Sequence, residues 1–220
     1  MANEFKAKVI CPHCGKEETV TIHTLLDSTR DTALEGSVLS GEVFSHTCSF
    51  CHEEFPMDYS CLYHDGKRKL LIFFAADEKN LIEMRARVNG KYENDRLEKT
   101  LNEWMEHCTV RIVTSEYLLQ EKILIAHFDL DDRVIEIART QIEKELMNER
   151  NDVKGLLFNT GKDGFEFLIL SENGIDGAIP FTDEMYEEIK NRYPALSEDT
   201  CYEIDRLWAE NYISVNYGIS

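Results

Sequence analysis

The sequence predicts an α+β protein with an N-terminal β-rich part, a helical middle and a C-terminal α+β segment. Three observations support this order. Two C-x-x-C pairs lie early in the chain, at Cys11–Cys14 and Cys48–Cys51. Apolar residues then recur at helical spacing as far as residue 150, and short alternating runs follow. We therefore divide the chain into two domains, residues 1–150 and residues 151–220.

The two cysteine pairs have the spacing of a zinc ribbon. A C-x-x-C turn places both sulfur atoms on one side of a tight knuckle, and two knuckles supply the four thiolates that zinc binds as a tetrahedron. We therefore predict a structural zinc ion held by Cys11, Cys14, Cys48 and Cys51, within an N-terminal β-rich zinc ribbon. Four thiolates close the coordination shell, whereas a catalytic zinc keeps one position open for water. No catalytic residue is assigned.

The second pair leaves alternatives open. His52 stands where Gly15 follows the first pair, and histidine adopts the left-handed conformation less readily than glycine. His13 or His52 could also replace one thiolate as a ligand. A redox dithiol is a further interpretation of a C-x-x-C pair, but that chemistry normally needs one pair at a helix start, so two pairs argue against it.

Three cysteines lie outside the two pairs. Cys108 and Cys201 fall on predicted apolar helix faces, which indicates buried thiols. Cys61 and His64 have ligand-like spacing. Residues three apart on a strand point to opposite faces, however, so we predict no second metal site there.

Short alternating patterns predict strands around the cysteine pairs, for example at Val20 and Ile22 and in the run from Tyr59 to Asp65. Asp65-Gly66 favours a tight hairpin turn, because glycine tolerates positive φ. The stretch 27–41 is rich in serine, threonine and glycine, which predicts a loop or a short helix.

The middle of the chain carries helix signals. Ser115 and either Asp129 or Asp131 are placed to cap helices, because such side chains accept backbone hydrogen bonds at helix starts. Nearer the C-terminus, residues 160–164 predict a hairpin with a longer loop. Thr182 is placed to cap a further helix. The last helix is predicted to carry Cys201, Ile204, Leu207 and Trp208.

The formal net charge is −18, from 24 basic and 42 acidic residues. Such a field repels phosphate backbones, so the composition disfavours nucleic acid as a partner. No apolar run approaches the roughly 20 residues that span a bilayer, and the first residues lack the layout of a signal peptide. We therefore expect a cytoplasmic protein that binds no membrane.

Several segments together resemble the CpXC proteins, over roughly residues 5–148. The likeness rests on both cysteine pairs and on a middle segment comprising Arg111-Ile112-Val113-Thr114-Ser115, Leu119, Glu121-Lys122-Ile123 and Leu130-Asp131-Asp132-Arg133-Val134-Ile135-Glu136. The resemblance implies a cysteine metal site and a prokaryotic, cytoplasmic setting. It implies no reaction.

Three functions fit these observations. The first is a non-enzymatic interaction or regulatory module that binds an unidentified protein partner. The second is an enzyme with its site between the ribbon and the helix Leu130–Glu136; its candidate polar groups are Arg111, Glu121, Lys122, Asp132 and Arg133. The third is an acidic mimic of nucleic acid. The apolar stripe of the middle helices can be buried internally or in a homodimer, and we favour the homodimer.

The charge leads to a first prediction. The protein should bind duplex DNA poorly, because a net charge of −18 repels phosphates. A fluorescence polarisation titration at low salt tests this under the most permissive condition, since screening is weakest there. Tight binding that weakens steeply as salt is added would contradict the prediction and would assign a nucleic-acid role to the ribbon.

Overall fold

A computed structural model describes residues 4–29, 31–90 and 96–218. The fold class is α+β, as predicted, and the chain divides into two compact units, Met1–Ile123 and Leu124–Ser220. The strands are β1 (Glu4–Ile10), β2 (Glu17–His23), β3 (Leu25–Asp27), β4 (Ser45–Thr47), β5 (Glu54–Pro56), β6 (Cys61–Asp65), β7 (Leu70–Phe74), β8 (Thr109–Val113), β9 (Val153–Gly161), β10 (Gly164–Ser171) and β11 (Gly174–Phe181). The helices are α1 (Thr32–Leu39), α2 (Glu78–Val88), α3 (Arg96–His107), α4 (Glu116–His127), α5 (Asp132–Glu149), α6 (Asp183–Arg192) and α7 (Arg206–Tyr217).

Two short antiparallel hairpins form the ribbon of the first unit. Strands β1 and β2 pair over seven residues, from Glu4 opposite His23 to Ile10 opposite Glu17. Strands β4 and β5 pair over three residues, with His46 opposite Phe55. The hairpins belong to separate two-stranded sheets, so no backbone ladder joins them.

A four-stranded mixed sheet forms the rest of the β structure in the first unit. Its order is β3-β6-β7-β8, with β3 parallel to β6, β6 antiparallel to β7, and β7 parallel to β8. All five residues of β7 are buried, as expected for a strand covered on both faces. Strand β8 of this sheet comes from the part of the chain that is predicted to be mainly helical. The β-rich part is therefore not confined to the N-terminal residues before helix α2.

The turn between β6 and β7 is built differently from the prediction. The Asp65 carboxylate accepts hydrogen bonds from the backbone N–H groups of Lys67 and Arg68, at 2.9 and 3.2 Å. The residue with positive φ is Lys69, at 53°, and Gly66 stays outside the left-handed region. The side chain of Asp65 therefore organises the turn, where the sequence suggested the backbone freedom of Gly66.

The second unit packs helices against a three-stranded antiparallel sheet of order β11-β10-β9. Its core joins the inner sheet face to α5, α6 and α7; the largest fully buried side chains are Phe158, Phe167, Phe181, Tyr193 and Ile135. Gly161 pairs with Gly164, so the β9–β10 turn has two residues and not the longer loop predicted. Among the described residues of both units, no helix is long and apolar enough to cross a membrane.

The predicted helix caps agree with the structure, whereas the predicted start of the last helix does not. Asp131 caps α5 by accepting the Arg133 N–H, Ser115 accepts the Leu118 N–H, and Thr182 caps α6, all as predicted. The last helix, however, begins at Arg206. Cys201 lies before that helix and is exposed, so the prediction of a buried thiol on a helix face is wrong.

Helix α5 belongs to the same compact unit as strands β9 to β11. Ile135 of α5 shares the core with Phe158 of β9, and the Glu143 carboxylate accepts the Leu156 N–H at 2.8 Å. A division at residue 150 would separate these partners, since it was drawn from a change in sequence pattern alone. The two-domain division 1–150 and 151–220 stays a prediction.

Arg133 ties the start of α5 to the turn after α6. Its guanidinium donates to both Asp131 oxygens, at 2.9 and 2.7 Å, and to the carbonyl oxygens of Leu196 and Asp199, at 2.5 and 3.0 Å. Burial lowers the pKa of Arg133, but the hydrogen bonds to Asp131 outweigh it and raise the pKa, so the group stays charged. Within its unit this candidate polar group is used as a structural crosslink.

The crosslink leads to a stability prediction. Replacing Arg133 by Ala should lower the free energy of unfolding by about 2–3 kcal/mol, because two carbonyl groups and one carboxylate lose a charged donor. Arg192→Ala is the matched control, since Arg192 forms one exposed pair with Glu188 and should change stability by about 0.5 kcal/mol or less. Urea unfolding followed by tryptophan fluorescence measures both. Equal stabilities for the two variants would contradict the role assigned to Arg133.

Candidate metal centre

The two ribbon hairpins bring four cysteines to one point. Cys11 and Cys14 lie between β1 and β2, and Cys48 and Cys51 lie between β4 and β5. All four sulfur atoms lie within 4.8 Å of one another. Two of the sulfur–sulfur contacts cross between the hairpins, with 3.7 Å from Cys11 Sγ to Cys51 Sγ and 3.7 Å from Cys14 Sγ to Cys48 Sγ.

These distances fit a tetrahedral metal site. Four sulfur atoms at the Zn–S distance of roughly 2.3 Å would lie about 3.8 Å apart at the corners of a tetrahedron. A disulfide would require roughly 2.05 Å, and all four cysteines are free thiols. The cluster could therefore hold one metal ion. His13 and His52 are exposed and are not part of the cluster, so it consists of thiols alone.

The two knuckles have the same backbone hydrogen bonds. The Gly15 N–H donates to the Cys11 carbonyl at 2.9 Å, and the His52 N–H donates to the Cys48 carbonyl at 3.0 Å. Gly15 has a φ of 71° and His52 a φ of 63°. His52 therefore has the same left-handed backbone conformation as Gly15, as its position after the second cysteine pair suggested. Histidine adopts this conformation less readily than glycine does.

Burial divides the cluster into an inner and an outer pair. Cys11 and Cys48 are 1% and 0% exposed and pack on Phe55. Cys14 is exposed and Cys51 is half-buried. The apolar cluster under the ribbon contains few residues, so little hydrophobic burial holds the two hairpins together.

The protonation of the two inner thiols differs. Burial raises the pKa of Cys11, but the backbone N–H groups of Cys14 and His13 outweigh it and lower the pKa to about 7. The backbone N–H of Cys51 lowers the pKa of Cys48, but burial and the side chains of Glu18 and Cys51 raise it to about 12. Metal binding would therefore displace protons from these thiols.

Glu18 is a residue of the centre that sequence reasoning missed. It lies on β2, and its carboxylate accepts the Ser49 N–H of the other hairpin at 3.2 Å. His46 Nε2 lies 3.3 Å from the same oxygen, and the Glu18 side chain is only 10% exposed. Burial raises the pKa of Glu18, but hydrogen bonds from Ser49, Cys48 and His46 outweigh it and lower the pKa to about 2. The charged carboxylate of Glu18 thus links strand β2 to the knuckle of the other hairpin.

A sequence signal for Glu18 was available. Glu18 occupies the same strand face as Val20 and Ile22, which are both buried. A carboxylate in line with two core residues must find partners, because an unpaired buried charge is costly.

The remaining cysteines stand apart from the cluster. Cys61 is buried on β6, Cys108 follows α3 and is half-buried, and Cys201 is exposed. Among the residues that the structure describes, the four-cysteine cluster is the one group of three or more cysteine, histidine or acidic side chains that could hold a metal ion.

The polar groups proposed for an enzyme belong to different compact units. In the first unit Arg111, Glu121 and Lys122 are buried, and Arg111 donates to the Val110 carbonyl at 2.8 Å. In the second unit Asp132 is buried and Arg133 forms the crosslink described above. The enzyme alternative and the nucleic-acid mimic stay predictions.

Comparisons with known proteins identify the family. No curated protein and no solved structure matches the chain. A family model for the CpXC protein matches residues 9–139, which is more than half of the chain. The match begins two residues before Cys11, contains both cysteine pairs, and ends within α5. The resemblance seen in the sequence is confirmed, and the chain belongs to the CpXC family.

Proposed function

We propose that the chain is a non-enzymatic interaction or regulatory module built on a structural zinc ribbon, with Cys11, Cys14, Cys48 and Cys51 as the four ligands. The observation that carries the proposal is the convergence of four thiols, two of them buried, at distances that match a tetrahedral zinc site. Zinc is the metal that a closed tetrahedral thiolate shell favours outside iron–sulfur chemistry.

The closed shell supports a structural role. A catalytic zinc needs a position for water or substrate, whereas four thiolates leave none. The two hairpins share no backbone ladder and only a small apolar cluster, so metal binding would supply the free energy that holds them together. Isolated two-stranded hairpins are at best marginally stable in water.

The charge supports a protein partner. A net charge of −18 favours a partner with a basic surface and disfavours nucleic acid and other anions. In this proposal the zinc ribbon keeps the first unit rigid enough to present its surface to that partner. We also propose that the protein forms the homodimer favoured from the sequence, in addition to binding this partner.

Metal analysis tests the site. The purified protein should contain about one zinc per chain, and a variant with Cys11→Ser and Cys48→Ser should contain almost none. Cys201→Ser is the matched control, because Cys201 is exposed and lies outside the cluster, and its zinc content should be unchanged. Full zinc content in the double variant, or iron in place of zinc, would contradict the assignment.

Cobalt substitution separates a structural site from a catalytic one. The Co²⁺-loaded protein should show the absorption of a tetrahedral tetrathiolate site. Adding excess azide should leave that spectrum unchanged, because a closed shell offers no position for an external ligand. A spectrum that shifts saturably with azide would show an open coordination position and would favour the enzyme alternative.

A further inference from the structure

The four thiols of the metal centre differ in their access to solvent. Cys14 is exposed and Cys51 is half-buried, whereas Cys11 and Cys48 are 1% and 0% exposed. A dissolved reagent therefore meets Cys14 before the other three. Exposure and thiolate character together decide which cysteines are oxidised. Cys14 would combine both in the proposed zinc-bound state, because a thiol that binds a metal ion is deprotonated.

A second thiol lies beside Cys14, on the other hairpin. Cys48 Sγ is 3.7 Å from Cys14 Sγ, and the Phe50 N–H donates to the Cys48 sulfur at 3.4 Å. Shortening this distance to the S–S bond length of roughly 2.05 Å needs a movement of about 1.7 Å. The turn that carries Cys14 is exposed over residues 12–17, so such a movement displaces no core side chain. An exposed thiolate next to a second thiol is the arrangement typical of cysteines that are oxidised reversibly.

The location of the two thiols on different hairpins has a structural consequence. The described strands of the β1–β2 and β4–β5 hairpins share no backbone ladder. A disulfide between Cys14 and Cys48 would join the hairpins covalently, and so would take over the linking role that we propose for zinc. A disulfide within one C-x-x-C pair would leave the hairpins unlinked.

We propose that the four-cysteine cluster is an oxidation site, at which hydrogen peroxide joins Cys14 to Cys48 and the metal is released. This proposal rests on the zinc site proposed above. The Cys14 thiolate attacks one oxygen of hydrogen peroxide, the O–O bond breaks, and Cys14 becomes a sulfenic acid as hydroxide leaves. The Cys48 thiolate then attacks the Cys14 sulfur and displaces a second hydroxide, which forms the S–S bond.

The two steps balance. Two thiolates give up two electrons, and hydrogen peroxide takes up these electrons and two protons from solvent to become two water molecules. The two sulfur atoms of the disulfide no longer carry a negative charge. Cys11 and Cys51 then remain as the two thiolates of the cluster, whereas a structural zinc ion requires four ligands. Oxidation of one pair is therefore enough to release the metal.

Peptide mapping of the oxidised protein tests which thiols pair. The full-length, zinc-loaded protein is treated with excess hydrogen peroxide, and zinc release is followed with a chromogenic chelator. The product is alkylated and digested with trypsin, which yields peptide 9–16 with Cys11 and Cys14, and peptide 31–67 with Cys48. We expect zinc release together with a covalent link between the two peptides, which fragmentation should place at Cys14 and Cys48.

Replacing Cys14 by histidine separates the oxidised thiol from the metal ligand. Three cysteines and one histidine still form a structural zinc site, but an imidazole forms no disulfide. Peroxide should therefore release zinc from Cys14→His at least about tenfold more slowly than from the wild type. Cys51→His is the matched control, because it makes the same ligand change in the other knuckle and keeps Cys14 and Cys48. Its rate should stay within about twofold of the wild-type rate.

Zinc content before oxidation shows whether both variants are loaded, and if one is not, the peptide mapping of the wild type decides alone. Two results would overturn the proposal. One is that peroxide releases no zinc, or releases it without a link between the two peptides, as with a Cys11–Cys14 disulfide. The other is equally fast release from loaded Cys14→His and Cys51→His. A purified protein without metal that still forms the Cys14–Cys48 disulfide would support the oxidation site and contradict the metal assignment alone.

Discussion

Four sulfur atoms within 4.8 Å of one another are the constraint on which the ribbon depends. The β1–β2 and β4–β5 hairpins are joined by no backbone ladder, and the apolar cluster between them is small. Two hairpins of this size cannot offset the chain entropy of their own docking through hydrophobic burial alone. In the proposed zinc-bound state the ion would therefore set their relative position, together with the carboxylate of Glu18.

Charged side chains contribute to the interior as well as to the surface. Asp65 accepts two backbone N–H groups in the β6–β7 turn, Glu18 accepts one from the opposite knuckle, and Arg133 donates to two carbonyl groups. Each of these side chains pairs with backbone groups of a turn or connecting segment. Part of the charge counted in the composition thus organises turns, and the net charge overstates how much charge is available to meet a partner.

Local chemistry could be predicted from the sequence, whereas long-range pairing could be predicted only for the two cysteine pairs, whose spacing is that of metal ligands. The cysteine spacing and the caps at Asp131 and Thr182 depend on residues within a few positions of one another, and the structure has both caps as predicted. The joining of β8 to the N-terminal strands, and the stacking of His64 on Trp104, connect residues about 40 positions apart. Periodicity reports which face of an element is apolar, but it does not report which element covers that face. Cys201 was misplaced for the same reason, since an apolar spacing was extended past the start of α7 at Arg206.

Strand β1 has a consequence for how copies of the protein meet in solution. Within the described part of the chain it is hydrogen-bonded to β2 alone, so its other edge presents unpaired N–H and C=O groups along a seven-residue strand. Such an edge can template the addition of a strand from another molecule and begin aggregation. Lys6 and Lys8, both exposed on this strand, would place like charges against each other if two edges met. Lysine side chains at such an edge disfavour the addition of a strand from a second copy of the protein.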